Sequence, residues 1–360
     1  MPSLKEIKGR INSISSTLAI TSAMKMVAAA KLQKAQMAIQ NMLPYERRLY
    51  SMLVDLMGAM NISAAASEDG SVRGSGSAER GFDQSGDRLS LSNRHDLAGM
   101  DGAYSLMAQR EVRKVAIVAF ASNSSLCGAF NSNVIREATA VINEYRASGL
   151  GDADITVYSV GRKMAEAMKK LGFPSPADFT KMSDSPSYDA ASALAQELFD
   201  GFLSGRFDKV ELVYNHYKST SSQPTTRQTY LPLSLADATA DIQVGKITDS
   251  ASESDTNRGA EPVGAPVVRQ GSPTSEASDL IVEPSKEELI ATLLPKVIRL
   301  RIFTTLLDSA AAEHAARTVA MQLATDNGND LLQELTLEYN KGRQQKITSE
   351  ILDLVGGSMQ

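Results

Sequence analysis

The 360-residue sequence contains no tryptophan, a single cysteine and three histidines. Cys127 has no partner for an internal disulfide, which is compatible with a reducing compartment. His95, His216 and His314 are too scattered to show a ligand spacing, so no metal centre is expected. Apolar runs are short. The window Val115 to Ala121 stops far below the roughly 18 residues that a membrane span needs. Lys5, Glu6, Lys8 and Arg10 interrupt the apolar residues of the amino end, which does not read as a secretory signal. Missing too are GxxxxGK[ST], CxxC, HExxH and GxSxG, the short motifs that would announce phosphate binding, redox, zinc or acyl-transfer chemistry. Gly74-Ser75-Gly76 neither follows a strand nor opens a helix, so it is not a phosphate loop. Aromatic residues make up only 5%, while Ala and Met are plentiful, a composition suited to slender helices in close contact. Hydrophobic residues at 42% exclude disorder throughout.

What is present is unevenly distributed. The net charge of −5 conceals a basic end: residues 1–60 hold eight Lys/Arg against three Asp/Glu, whereas residues 236–283 hold three against nine. A basic helix suits nucleic acid, anionic lipid or an acidic protein surface. Lys8, Arg10, Lys25, Lys31 and Lys34 lack the interleaved aromatics of a nucleic-acid stripe, since none occurs before Tyr45. An acidic protein partner fits better, and an ordinary solvated face remains the alternative.

From Leu4 the apolar residues recur alternately three and four apart through Ile7, Ile11, Ile14, Leu18, Ala28, Leu32, Ala35, Ile39 and Met42, with only Thr21 and Lys25 polar on that register. This is a coiled-coil seam. Pro44 is expected to kink the helix or break it briefly before Leu49, Leu53, Leu56 and Met60 resume the register. Such a helix would run roughly 85 Å and must be covered by another long helix. The candidate is the carboxyl end, read as helical from about Arg299 to Val355 after Pro284 and Pro295. Phe303, Leu307, Ala310, Met321, Ala324, Leu331, Leu335, Ile347, Ile351 and Leu354 lie on or near one face, with slips expected at Thr325 to Asp330 and near Gly342. The two ends should pair as an antiparallel coiled coil with an imperfect seam.

Between them the pattern alternates. Arg113 to Ala121, Ile155 to Val160 and Lys209 to Tyr217 read as strands, and Thr225 to Leu233 as an edge strand carrying Pro232. Asn131 to Ala147, Gly161 to Leu171 and Tyr188 to Ser204 read as helices, so the middle is a Rossmann-like α/β module of βαβ units. The expected division is 1–60 coiled-coil helix, 61–110 flexible insertion, 111–235 α/β domain, 236–283 acidic polar insertion and 284–360 coiled-coil helix. Residues 61–110 hold seven Gly and nine Ser, and neither insertion shows a sustained period.

Cys127 follows the best strand in Ser124-Ser125-Leu126-Cys127-Gly128 and precedes a helix, a position that favours a thiolate. No general base is identifiable beside it, so a small buried turn residue is the expected role, with a nucleophile or a redox-sensitive thiol as alternatives.

The opening LKEIKGRINSISSTLAITSAMKMVAAAKLQKAQ closely resembles the N-terminal helix of the gamma subunit family of F-type ATP synthases. Ser124 to Val134 (SSLCGAFNSNV) resembles the family's turn after its first strand, and Ser309 to Gly356 resembles its C-terminal signature helix. The resemblance implies a non-catalytic rotor shaft, with no catalytic residue, cofactor or metal. Its terminal coiled coil would enter a ring of alternating alpha and beta subunits, and its α/β module would sit near the c-ring and the epsilon subunit. Transmembrane proton flow would turn it, driving each catalytic site in sequence through states of different nucleotide affinity. Matched by position, Met24 and Lys25 would face the acidic lever region of beta, giving a reason for the polar interruptions at Thr21 and Lys25. Arg317, Arg343, Gln344, Thr348 and Glu350 would meet the beta catch loop, Arg317 being able to grip carboxylates with two prongs. The expected location is the cytoplasmic side of a bacterial inner membrane, with membrane contact only through partners and no nucleic acid.

Two departures from the family stand out. Asn123-Ser124-Ser125 replace Asp-Arg-Gly ahead of Leu126, and Gly342 stands where Ala is usual, which should weaken the helix by roughly 1 kcal/mol. A Rossmann-like enzyme with coiled-coil arms and a generic coiled-coil scaffold are the competing readings.

Overall fold

The computed structural model describes residues 3–59, 110–233 and 286–357. The expected insertions at 61–110 and 236–283 lie outside these residues, Arg110 excepted. Leu4–Ala59 forms a single helix, α1, of 56 residues. It runs through Pro44 without the brief break that was one of the two expectations there: the proline forgoes one backbone bond, but Leu49, Tyr50, Leu53 and Leu56 just beyond it are all buried.

Four strands follow, β1 (Val115–Phe120), β2 (Ile155–Val160), β3 (Lys209–Asn215) and β4 (Thr225–Leu231), in the order β2-β1-β3-β4. The first three are parallel and β4 is an antiparallel edge. The helices between them are α2 (Phe130–Ala147), α3 (Arg162–Lys170), α4 (Thr180–Asp184) and α5 (Tyr188–Leu203). The five-residue α4 is too short to show a period in the sequence.

Because strand side chains alternate, β1 serves two layers. Val115, Ile117 and Ala119 pack with Val134 and Ile142 of α2 and Met164 and Met168 of α3. Ala116, Val118 and Phe120 face the other way, toward Leu194 and Leu198 of α5 and toward the coil residues Leu53, Leu56, Leu294 and Ile302. The base of the coil is therefore one layer of the α/β module.

Lys286–Gly357 forms α6, 72 residues long and continuous through Pro295. The helix begins well before the expected Arg299. Ile290, Leu293, Leu294, Val297 and Ile298 around the proline are all buried. At about 1.5–3 kcal/mol for each such side chain, their burial outweighs the roughly 3 kcal/mol a mid-helix proline costs. Among the described residues no helix is long and apolar enough to cross a membrane.

α1 and α6 run antiparallel. Leu4 lies against Gly342, Leu18 against Gly328, the Thr325 hydroxyl donates to that of Thr21 at 3.1 Å, and Arg301 Nη1 donates to the Tyr50 phenol at 2.8 Å. The two expected slips do not occur. The α6 seam continues through Met321, Thr325, Gly328, Leu332, Leu335, Tyr339 and Gly342, and is occupied by small and polar residues where an apolar period is lost. Ala324, Leu331, Ile347, Ile351 and Leu354 are exposed rather than on the seam. The last three lie beyond Gly342, where α6 has outrun the start of α1.

The seam glycines differ in what they could accept. A Cβ at Gly342 would stand 3.1 Å from Leu4 Cδ2, at the first residue of α1, whereas one at Gly328 would stand 2.6 Å from Leu18 Cδ2 inside the coil. Gly342→Ala should therefore raise stability by up to about 1 kcal/mol through helix propensity, and Gly328→Ala should gain nothing or lose. Thermal unfolding followed by circular dichroism would read the difference; equal shifts would contradict it.

Candidate functional site

In open α/β sheets the ligand crevice lies outside the carboxyl ends of the strands, where the chain order reverses. Here that point lies between β1 and β3, and the chain itself fills it. The turn after β1 places Cys127 and Phe130 against Ala312 of α6, and a Cβ on Gly128 would stand 3.8 Å from Ala320. Asn215, at the end of β3, is buried and donates to the Phe130 carbonyl at 3.1 Å. No side chain caps α2, and its first residue, Phe130, packs against Ala312 of the coil.

The turn is tightly built. Leu126 (φ 70°) and Gly128 (φ 58°) are both left-handed, a conformation that costs a non-glycine residue roughly 1–2 kcal/mol. Asn131 holds it, donating to Ser122 Oγ at 2.8 Å and to Cys127 Sγ at 3.2 Å, while its Oδ1 accepts from the Ser122 N–H at 3.0 Å. The Cys127 thiol is thereby buried beneath α6 as a turn residue, out of reach of a substrate.

Beside this turn a cleft of about 330 Å³ opens between the coil and the module, with Met24, Val27 and Lys31 of α1 on one wall and Ser124, Asp184, Glu313, His314 and Arg317 on the other. Arg317 and Glu313 pair at 2.7 Å with both side chains only 11% exposed. Arg317 also donates to the Ser125 carbonyl at 2.7 Å and to Ser124 Oγ at 2.8 Å. Burial pushes the Glu313 carboxyl up, more than the Arg317 bond pulls it down. Burial, with Lys31 and Arg317 nearby, pushes the His314 imidazole down to about 4, so it is neutral at physiological pH. Its Nδ1 is buried without a hydrogen-bond partner.

A second cluster lies where the coil leaves the module. Past β3, His216 Nδ1 meets Asp308 Oδ2 of α6 at 2.7 Å, the Tyr217 N–H donates to Asp308 Oδ1 at 2.9 Å, and Gln36 of α1 donates to the Tyr217 phenol at 2.6 Å. Among the described residues no group of three His, Cys, Asp or Glu side chains could hold a metal. His95 lies outside them.

The structure brings Met24 and Arg317 to the rim of one cleft, with Lys25 half-buried beside Met24. Arg343, Gln344, Thr348 and Glu350 lie together on the exposed end of α6, where the Thr348 hydroxyl donates to the Gln344 carbonyl at 2.9 Å and Lys346 stands 3.8 Å from Glu350. Arg317 is bonded to Ser124, Ser125 and Glu313. Sequence reasoning missed Glu313, Asp308, Tyr217 and Gln36. An acid four residues ahead of an arginine was the one local signal, and it concerned only Glu313.

A family profile described as ATP synthase matches residues 3–359. The ATP synthase gamma chain of Phocaeicola vulgatus is 47% identical over 359 residues, covering 100% of both chains. That of Bacteroides thetaiotaomicron is 45% identical over 360 residues with the same coverage. Among solved structures, a chain of the Euglena gracilis mitochondrial ATP synthase, OSCP/F1/c-ring in rotational state 3, superposes with a TM-score of 0.52 at 19% identity, covering 99% of this chain and 93% of that one. This last likeness concerns the fold.

Proposed function

This chain belongs to the ATP synthase gamma-chain family, and on that premise we propose that it is the non-catalytic central shaft of such an enzyme. The observation that carries the reading is the shape of its two long helices. They pair over the length of α1, after which Arg343–Gly357 of α6 continues alone for about 22 Å. A rod with a single-helix tip is asymmetric about its axis, as a part must be if its rotation is to distinguish three otherwise equivalent sites. The plugged crevice between β1 and β3 supports a structural over a catalytic role, and disfavours the Rossmann-like enzyme.

In this reading residues 1–60 and 284–360 form the shaft, 111–235 the foot, and 61–110 and 236–283 are additions to the foot. The shaft enters the alpha/beta ring while the foot meets epsilon and the c-ring, and the chain is held at the cytoplasmic membrane face through these partners. Met24, Lys25 and Arg317 at the cleft, with Arg343, Gln344, Thr348 and Glu350 on the tip, are the proposed contacts with beta. Exposure of the tip residues supports their part; Arg317 contributes from the cleft rim while tied to its own chain.

Co-expression with alpha and beta subunits tests the proposal. One copy per ring is expected, with MgATP hydrolysis that depends on this chain and falls on charge reversal at Lys25 and Arg343. Exclusion from the ring, together with nucleotide turnover by the isolated chain, would restore the enzyme reading.

A further inference from the structure

The coil leaves the module through a stretch poor in locking contacts. Ala28, Ala311, Ala312 and Ala315 are buried there, and small apolar side chains pack without direction, so they resist separation of the helices better than rotation against the module. Among the described residues, the segment whose directional contacts reach both helices at this level is His216–Tyr217, which leaves the carboxyl end of β3.

Tyr217 reaches both helices. Its ring packs against the cluster of Leu32, Ala311 and Ala315 and against that of Cys127, Phe130 and Ala312. Its phenol accepts from Gln36 of α1, and its N–H donates to Asp308 of α6, whose other oxygen meets His216. The segment is itself braced to the sheet. The His216 N–H donates to the Pro224 carbonyl at 2.9 Å, and Thr225 Oγ1 donates at 2.7 Å to Asn215, the buried amide that also bonds Phe130. Across the coil, Arg317 ties α6 to Ser124 and Ser125 of the other strand-end turn.

We propose that the His216–Tyr217 arm is a torsional clamp: bonded to Gln36 on one helix and Asp308 on the other, it fixes the rotational position of the coil on the α/β module. The clamp rests on the shaft reading, since it gives torque applied to the module a stiff route into the coil. Gln36, Asp308, His216 and Tyr217 are positioning residues, remote from any nucleotide chemistry.

The test uses the full chain in two settings. Gln36→Leu combined with Asp308→Ala removes the polar grip and keeps the Tyr217 ring. In the assembled complex, stalled with the ring immobilised and a bead on the rotor, the angular variance should rise about twofold or more. Asp308→Asn, made alone, keeps an acceptor for the Tyr217 N–H and an amide for the imidazole, and should leave the original variance unchanged. In the isolated chain, spin labels at Ala140→Cys on α2 and Gln333→Cys on α6 should give a broader distance distribution in the double variant than in the parent; Cys127 is buried and stays unlabelled. Unchanged variance in a complex with one copy per ring, or an unchanged distribution in the folded chain, overturns the clamp. A parent chain that never joins the ring defeats the shaft reading instead, and leaves the label measurement to decide the clamp alone.

Discussion

Gly161→Ala is expected to cost the α/β module about 4 kcal/mol or more, enough to abolish its cooperative unfolding transition. Gly161 turns the end of β2 into α3 at φ +95°, and a Cβ there would lie 2.1 Å from the Ala121 carbonyl oxygen and 2.8 Å from its carbon. These are backbone atoms at the end of the central strand, so no rotamer change can relieve the overlap. They are also in use. Ala121 O accepts the Ser183 hydroxyl at 2.9 Å, the Ala121 N–H donates to the Val160 carbonyl at 2.8 Å, and the next carbonyl, Ser122 O, accepts from the Lys163 N–H at 3.1 Å. Moving Ala121 aside would break this set and disturb the Cys127 turn that follows. Gly172 is the control, with φ +91° but nothing within 4 Å of where a Cβ would stand. Its alanine variant should lose only the roughly 1–2 kcal/mol of the left-handed conformation. Urea unfolding of both variants separates steric overlap from backbone strain, and comparable losses would show that the approach to Ala121 is not what constrains Gly161.

That glycine marks where sequence reasoning ends. The strands are legible because burial on both faces makes an unbroken apolar run of Val115–Phe120, and α2 and α5 because their apolar residues recur at helical spacing. Periodicity fails wherever a contact is made without an apolar side chain. Thr325, Gly328 and Gly342 read as a slipping register, yet each lies on the seam because its partner on α1 fills the space: Thr21 with a hydroxyl, Leu18 and Leu4 with bulk. The prolines mislead for a related reason. A local rule counts the lost hydrogen bond at Pro44 and Pro295, and has no access to the sheet face that buries the residues around them.

The candidate site divides in the same way. Resemblance to a family can point to Met24, Lys25 and the polar residues of the α6 tip because they belong to long matching blocks. It cannot show that Arg317 is folded back onto Ser124 and Ser125, 193 and 192 residues away in the chain. There the Ser124 hydroxyl and the Ser125 backbone carbonyl accept the guanidinium, and only the first of these depends on the side chain. The Tyr217 bond to Gln36 spans 181 residues and depends on the sheet, the coil and the β3–β4 connection all being in place. Only the assembled fold reveals it.

The last large effect concerns a charge the module keeps inside. Glu211 lies on the central part of β3 with its side chain 2% exposed, where an unpaired carboxylate would be costly. Its oxygens accept from Arg227 Nε at 2.7 Å and Nη2 at 3.1 Å, from Lys209 at 2.6 Å and from the Tyr145 hydroxyl at 2.7 Å. Burial alone would raise the carboxyl's pKa; the bonds from Arg227, Lys209 and Tyr145 together outweigh it and hold the group below the usual carboxylate range. A folded-state value below the unfolded one means that this site adds stability above the unfolded pKa, and loses it as pH falls through the folded value. Arg227→Met removes two of the four bonds while leaving the carboxylate buried, and should cost about 2–3 kcal/mol at pH 7, less than for a fully stranded charge because Lys209 remains. The variant's carboxyl then titrates higher, so the gap to the parent should narrow as pH drops below about 4.5 and protonation relieves the excess charge. Adding Glu211→Gln to Arg227→Met should recover part of the loss at pH 7. Denaturant unfolding at pH 7 and pH 4 reads all three. A penalty independent of pH, with no recovery in the double variant, would mean that Arg227 stabilises the sheet edge through its packing on Tyr145, whose ring lies 5.8 Å from the guanidinium, and not through the buried charge.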